Sequence, residues 1–311
     1  MIEVNSLTKR FVNTVAVDNI SFTIQKGEVV GFLGPNGAGK TTTMRILTCF
    51  MPPSEGTAKI AGLDIYENSL EIRKKIGYLP ESAPLYLDIG VLDYLYYIAE
   101  IRQIPSAQRK KSIEEVIECC GLQSVLGKDV YELSKGYRQR LGLALALIHK
   151  PDIMILDEPT SGLDPKQIIE IRNLIKEIGR EKTVLLSTHI LPEVEATCDR
   201  MIIINKGKIV AQGTTEELSS LAQQKDNVLI SLKAEREEIE KKLKENPAIV
   251  SFNFLQTNNG IHRFSIKSKE ENICEQLYKL AVQQNWILTE LYKESASLED
   301  VFLQLTTEEN R

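Results

Sequence analysis

The chain has 311 residues, with 38 lysines and arginines against 43 aspartates and glutamates, a net charge of −5, 42% hydrophobic residues and 26% charged ones. That is the composition of a folded globular protein, and it excludes a disordered tail protein. The mild, evenly spread acidity also argues against a nucleic-acid partner, which needs a basic face.

The five cysteines, Cys49, Cys119, Cys120, Cys198 and Cys274, contain no CxxC pair and accompany only three histidines. They read as reduced thiols, mostly in the core. The opening MIEVNSLTKRF lacks the basic start and apolar stretch of a secretory signal. A membrane-spanning helix needs about 20 apolar residues in a row, and the clearest apolar run is LGLALALI at 141–148. The expected location is the cytoplasm, with any membrane role exercised from the surface through a partner.

In chain order, the first 25 residues read as short antiparallel strands, with SFTIQKGEVV as a hairpin around Lys26 and Gly27. Strand and helix signals then alternate: EVVGFLG (28–34), TTTMRILTCF (41–50), DIMILD (152–157), KQIIEIRNLIKEIG (166–179) and TVLLSTH (183–189). Such alternation predicts an α/β fold with a mostly parallel sheet. Between these, about 82–149 is almost wholly helical and predicts an inserted helical subdomain. A polar stretch at 218–227 separates a second unit, 226–311, from the first, 1–220. The second unit's pattern, a strand at VLISLKA, a helix, a hairpin across TNNG, a helix and a strand at ILTELYKES, has the βαββαβ order of a small α+β ferredoxin-like domain. A last helix, LEDVFLQLT, follows.

Gly34, Pro35, Asn36, Gly37, Ala38, Gly39, Lys40 and Thr41 fit GxxxxGK[ST], between the strand VVGFL and a helix that opens on Thr41 and Thr42. Glycines let successive backbone N–H groups turn inward on phosphates at the positive end of a helix dipole. Lys40 then reaches the β- and γ-phosphates while the Thr41 hydroxyl ligates Mg²⁺. The strand Ile153–Leu156 delivers Asp157 and Glu158 at its C-terminal end, where ligands of open α/β sheets bind. Asp157 suits the Mg²⁺ sphere, and Glu158 suits a base or water-positioning group for attack on the γ-phosphate. Taken alone, the two carboxylates also fit an exposed turn.

Together these motifs resemble the ATP-binding subunit of an ABC transporter over about residues 1–220. The most specific element is Leu133-Ser134-Lys135-Gly136-Tyr137, similar to that family's LSGGQ signature. Ser161-Gly162-Leu163-Asp164 resembles its D-loop, His189 its switch histidine, Phe11 its adenine-stacking aromatic and GYLPE at 77–81 its Q-loop. The resemblance implies a P-loop ATPase cassette whose cofactors are ATP and Mg²⁺. Two copies would close head to tail with ATP between the phosphate loop of one and the signature of the other. Ser134 and the Gly136 backbone N–H would then reach the γ-phosphate across the interface, Asp164 would couple the halves, and His189 would contact the γ-phosphate beside Glu158 and Lys40. Glu81 stands where the family has Gln and would face the metal with Thr41 and Asp157. Tyr137 and Lys135 depart from the signature, and Phe11 keeps the ring of the commoner Tyr.

The resemblance also implies a separate integral-membrane permease, docking on the helical insert near Tyr86, Tyr94, Tyr96 and Tyr97, and a place on the inner face of the cell membrane. Residues 226–311 resemble the appended domain of ABC-2-type exporter ATPases, with dimer support or regulation as the implied role. Among other readings, a soluble ABC ATPase of translation or DNA maintenance is the alternative, although the chain has one phosphate loop and no long coiled coil. A GTPase is disfavoured because Asn205-Lys206-Gly207 is followed by Lys208 instead of the Asp of NKxD.

Overall fold

The computed structural model describes residues 1–222, 227–268, 270, 272–294 and 298–307. The chain forms two compact units, Met1–Thr215 together with residues 305–307, and Glu216–Gln304. Of the polar stretch expected to divide them, residues 223–226 lie outside the described residues.

The first unit opens with β1 (Ile2–Phe11) and β2 (Thr14–Ile24), an antiparallel hairpin closing across Val12 and Asn13. The hairpin expected around Lys26 and Gly27 does not form. At Gly27 the backbone takes φ +81°, and β3 (Val29–Leu33) enters a different sheet. All five β3 residues are buried, so this strand needs cover on both faces, which the centre of a parallel sheet supplies and a hairpin partner does not. The phosphate loop leads to α1 (Lys40–Leu47), and β4 (Glu55–Ile60) with β5 (Leu63–Asp64) completes the antiparallel sheet in the order β2-β1-β4-β5.

Next come α2 (Ser69–Lys75) and β6 (Ile76–Leu79), then the helical insert of α3 (Val91–Ile101), α4 (Ser106–Cys120) and α5 (Lys135–Leu147). The chain continues through β7 (Ile153–Asp157), α6 (Pro165–Gly179), β8 (Thr183–Thr188), α7 (Leu191–Thr197), β9 (Arg200–Asn205), β10 (Lys208–Gly213) and α8 (Thr215–Ala222). The central sheet has the order β10-β9-β3-β8-β7-β6; only β10, at its edge, is antiparallel. Packing splits by layer. One core lies between the two sheets around Phe22, Phe32 and Met44, and the other joins the helical insert to the opposite face of the central sheet through Leu95, Leu143 and Leu156.

The second unit contains β11 (Asn227–Lys233), α9 (Arg236–Glu245), β12 (Ile249–Asn258), β13 (Ile261–Ser268), α10 (Ile273–Gln283) and β14 (Ile287–Glu294); α11 (Leu298–Thr307) follows. Its strands pair antiparallel in the order β12-β13-β11-β14, around a core of Val228, Ile230, Phe264, Leu277 and Trp286. Of the cysteines expected mostly in the core, Cys120 is buried there, Cys49, Cys198 and Cys274 are half-buried against the three cores, and Cys119 is exposed.

His149, after α5, fastens the insert to the sheet: its Nε2 lies 3.0 Å from the Ile76 carbonyl oxygen, which fixes the Nε2–H tautomer. Burial, and then the nearby Arg102 cation, lower its pKa from 6.5 to about 4. Between those values the unfolded chain binds a proton that the native ring refuses, so folding stability falls as pH drops from 6.5 toward 4. Urea unfolding across this range should show that loss, and His149→Gln should flatten the slope.

Candidate functional site

The phosphate loop runs from the C-terminal end of β3 to the N-terminus of α1. Gly39, at φ +106°, caps the helix, and a Cβ there would stand 2.3 Å from the Ala16 carbonyl oxygen. Only glycine meets both demands. The Lys40 ammonium, 6% exposed, donates to the carbonyls of Gly34 at 2.8 Å and Pro35 at 3.2 Å and lies 3.3 Å from Glu158 Oε1. Ala38 is held from behind, its carbonyl accepting from the Gly207 N–H at 3.0 Å.

Strand β7 is apolar and wholly buried until it ends in Asp157. Glu158 follows at φ +47°, a left-handed conformation that costs a non-glycine residue about 1 kcal/mol or more. Its N–H donates to the Ser187 carbonyl at 3.0 Å, which anchors the turn to β8. Thus oriented, its carboxylate bridges two groups, Lys40 through Oε1 and His189 Nδ1 through Oε2 at 2.9 Å. Asp157 Oδ1 accepts from Thr41 Oγ1 at 3.2 Å and from the Ser187 hydroxyl, while its Oδ2 is buried without a partner. That open carboxylate oxygen beside a hydroxyl is a donor set for a hard, oxygen-seeking cation.

A cavity of about 390 Å³ collects these groups. Asn36, Gly37, Gly39, Lys40, Thr41, Thr42, Glu81, Glu158 and His189 line it, with Ala16 and Ser161. Sequence reading named Ser161 only as the start of the D-loop, and it missed Ala16 here and Ser187 behind Asp157. A signal for Ser187 existed: it is a polar residue inside the buried strand TVLLST. Asp157, Gly34, Pro35 and Ala38 are not in the lining. Phe11, 46% exposed at the β1–β2 turn, is also outside it.

The structure leaves the signature residues outside this cavity as well. Ser134 is the N-cap of α5, its Oγ accepting from the Tyr137 N–H at 3.4 Å. Gly136 packs so tightly that a Cβ would meet the Gln167 side chain at 2.7 Å. Asp164 caps α6 by accepting from the Gln167 N–H at 2.9 Å. Gln167 therefore ties signature and D-loop together.

The family profile described as ABC transporter matches residues 17–161. A shorter match, residues 129–194, is to an AAA domain described as putative AbiEii toxin, Type IV TA system. The chain is 36% identical over 310 residues to the uncharacterized ABC transporter ATP-binding protein YhcH of Bacillus subtilis (strain 168), covering 99% of this chain and 96% of that protein. The chain belongs to the ABC transporter ATP-binding family. The bacitracin transport ATP-binding protein BcrA of Bacillus licheniformis is 34% identical over 98% of this chain and 97% of its own length. A dimeric post-hydrolysis cassette, MJ0796 bound to ADP and Pi, superposes with a TM-score of 0.63 at 26% identity, over 69% of this chain and 98% of that one.

As an ABC cassette the chain binds and hydrolyses ATP. Among the described residues no helix is long and apolar enough to cross a membrane. Because Lys40 and Glu158 are both nearly inaccessible, removing Lys40 leaves the Glu158 carboxylate with His189 as its remaining partner. Lys40→Ala should weaken ATP binding at least tenfold, read with a fluorescent ATP analogue. The same variant should lose about 1–3 kcal/mol in urea unfolding, because the buried Glu158 carboxylate then keeps only its contact with His189.

Proposed function

We propose that this cassette works as a head-to-tail homodimer that closes on two ATP molecules and drives an ABC-2-type exporter permease. One observation carries the reading: the cavity that holds the phosphate loop and Glu158 lacks the signature, whose Ser134 stands at the positive end of α5 outside it. A second chain would supply that end. The dimeric, ADP- and Pi-bound MJ0796 cassette supports the same arrangement.

In this mechanism Lys40 offsets the charge of the β- and γ-phosphates, which loosens its hold on Glu158. Glu158 then orients a water and takes its proton, and His189 keeps the carboxylate aimed. Thr41 and Asp157 would hold Mg²⁺, with Glu81 facing it from the cavity wall; the unpartnered Asp157 Oδ2 fits that role. Bound there, the metal would neutralise phosphate charge. Ser134 and the Gly136 N–H of the opposite chain would donate to the γ-phosphate, Asp164 would link the two halves, and Phe11 would stack on adenine.

The permease, in our reading, docks in an apolar groove of about 640 Å³ between sheet and helical insert, lined by Phe50, Tyr78, Leu79, Pro84, Leu85 and Ile98. Tyr94 closes its floor, 4% exposed, and meets the rings of Tyr86 and Tyr97 at 5.7 and 6.4 Å. Export as the direction rests on the resemblance of residues 226–311 to the appended domain of ABC-2-type exporter ATPases. Residues 226–311 act as an accessory domain of ferredoxin-like strand order, in addition to a cassette of 1–220. The pair sits at the cytoplasmic face of the membrane.

Glu158→Gln should keep ATP binding, lose phosphate release and elute as an ATP-bound dimer in size-exclusion chromatography; turnover at the wild-type rate would refute the role. Mixing Lys40→Ala with Ser134→Arg chains should restore one composite site, since the first keeps its signature and the second its phosphate loop. Absence of mixed-dimer ATP binding would argue against shared sites.

A further inference from the structure

A second, larger cavity, of about 960 Å³, lies where the end of α2, the α3–α4 connection and the residues after α5 converge. Five cations line it, Arg73, Lys74, Arg102, Lys111 and Lys150, and no carboxylate does. Such a concentration is unexpected on a chain of net charge −5. Lys74 and Lys150 pair with Glu71 and Glu115 outside the lining. Among the described residues, Arg73, Arg102 and Lys111 have no carboxylate within ion-pair distance. Arg102 is oriented by donating to the Arg73 backbone carbonyl at 2.9 Å, which holds its guanidinium against the end of α2. Like charges gathered without counter-charge cost folding energy unless an anion answers them.

The rim points to the anion's chemistry. Leu70 and Ile101 stand beside the cations 67% and 55% exposed, while Ser112 and Gln108 add neutral donors. Guanidinium forks, ammonium groups and hydroxyls match a phosphoryl group, and exposed aliphatic side chains next to basic ones match the boundary between headgroups and acyl chains. We propose that this cavity binds the phosphate headgroup of an anionic membrane lipid. The inference rests on the reading that the cassette works against a membrane, because Arg73, Ile101 and Arg102 line both this cavity and the groove assigned to the permease.

The test is co-sedimentation of the full chain with vesicles of phosphatidylcholine alone or mixed with phosphatidylglycerol, at low and high salt. Wild type should sediment only with the mixed vesicles and be released by salt. Lys74→Gln/Lys111→Gln should reduce that partitioning about twenty-five-fold, about fivefold for each cation removed near an anionic surface, with ATP turnover retained. Lys241→Gln/Lys244→Gln, which removes the same charge from α9, should sediment like wild type. Equal sedimentation with both vesicle types, or an equal loss in the two double variants, overturns the proposal. Calorimetric binding of glycerol 3-phosphate without vesicle binding assigns the cavity to a free phosphate compound and also overturns it. Sedimentation that requires permease in the vesicles, whatever their lipid, assigns the face to an acidic protein segment and overturns it too. Dimer formation by Glu158→Gln is measured without lipid, so the two readings fail separately.

Discussion

A buried ammonium and a buried carboxylate hold each other at the centre of this molecule. Lys40 and Glu158 lie 3.3 Å apart, each almost without solvent, and each would be costly alone. The pair joins the start of α1 to the end of β7, two segments separated by more than a hundred residues. Everything chemical about the site depends on that meeting. His189 is aimed by Glu158, Thr41 is brought to Asp157 by the same approach, and the phosphate loop is pulled closed by the lysine's hydrogen bonds to its own carbonyls.

The sheet makes the meeting possible. Parallel pairing of β3 with β8, and of β8 with β7, sets the C-terminal ends of three strands side by side, so the phosphate loop, His189 and the Asp157–Glu158 pair emerge at one edge. Ser187 shows how closely that edge is specified. Its hydroxyl donates to Asp157 and its carbonyl receives the Glu158 N–H, so one residue of β8 sets both carboxylates. A second layer repeats the device: the buried Glu193 of α7 accepts from Thr160 and Thr188 at 2.6 and 2.8 Å, tying the D-loop approach to the end of β8. Half of the chemistry nevertheless faces away, because the N-termini of α5 and α6 present Ser134 and Asp164 outside the cavity. The division is the reason the proposed mechanism calls for a partner chain.

Much of this was legible in the residues. The phosphate loop, the carboxylate pair and the strand-helix alternation carry strong local signals, since glycines with positive φ, an apolar run ending in acids, and a change of period are all short-range features. The hairpin expected at Lys26 and Gly27 misled because a turn signal says that the chain reverses or bends, not which sheet receives it. The residue pattern groups Tyr94 with exposed aromatics, yet it is buried under its neighbours, since helix face is decided by what packs above it. The cationic cavity had no sequence signal at all. Its arginines and lysines come from residues 73 to 150, and only folding brings them together.

By itself, then, the order of amino acids determined the class of fold, the nucleotide loop and the groups proposed to touch phosphate, because each rests on backbone preferences and spacings within a few residues. The tertiary structure alone decided which groups share a cavity, that Asp157 keeps one oxygen unpartnered, that the signature stands outside the cavity of the phosphate loop, and that five cations line a cavity with no carboxylate in its lining. Those properties depend on distances between residues far apart in the chain. Such distances are set by how sheets and helices pack, which no local pattern encodes.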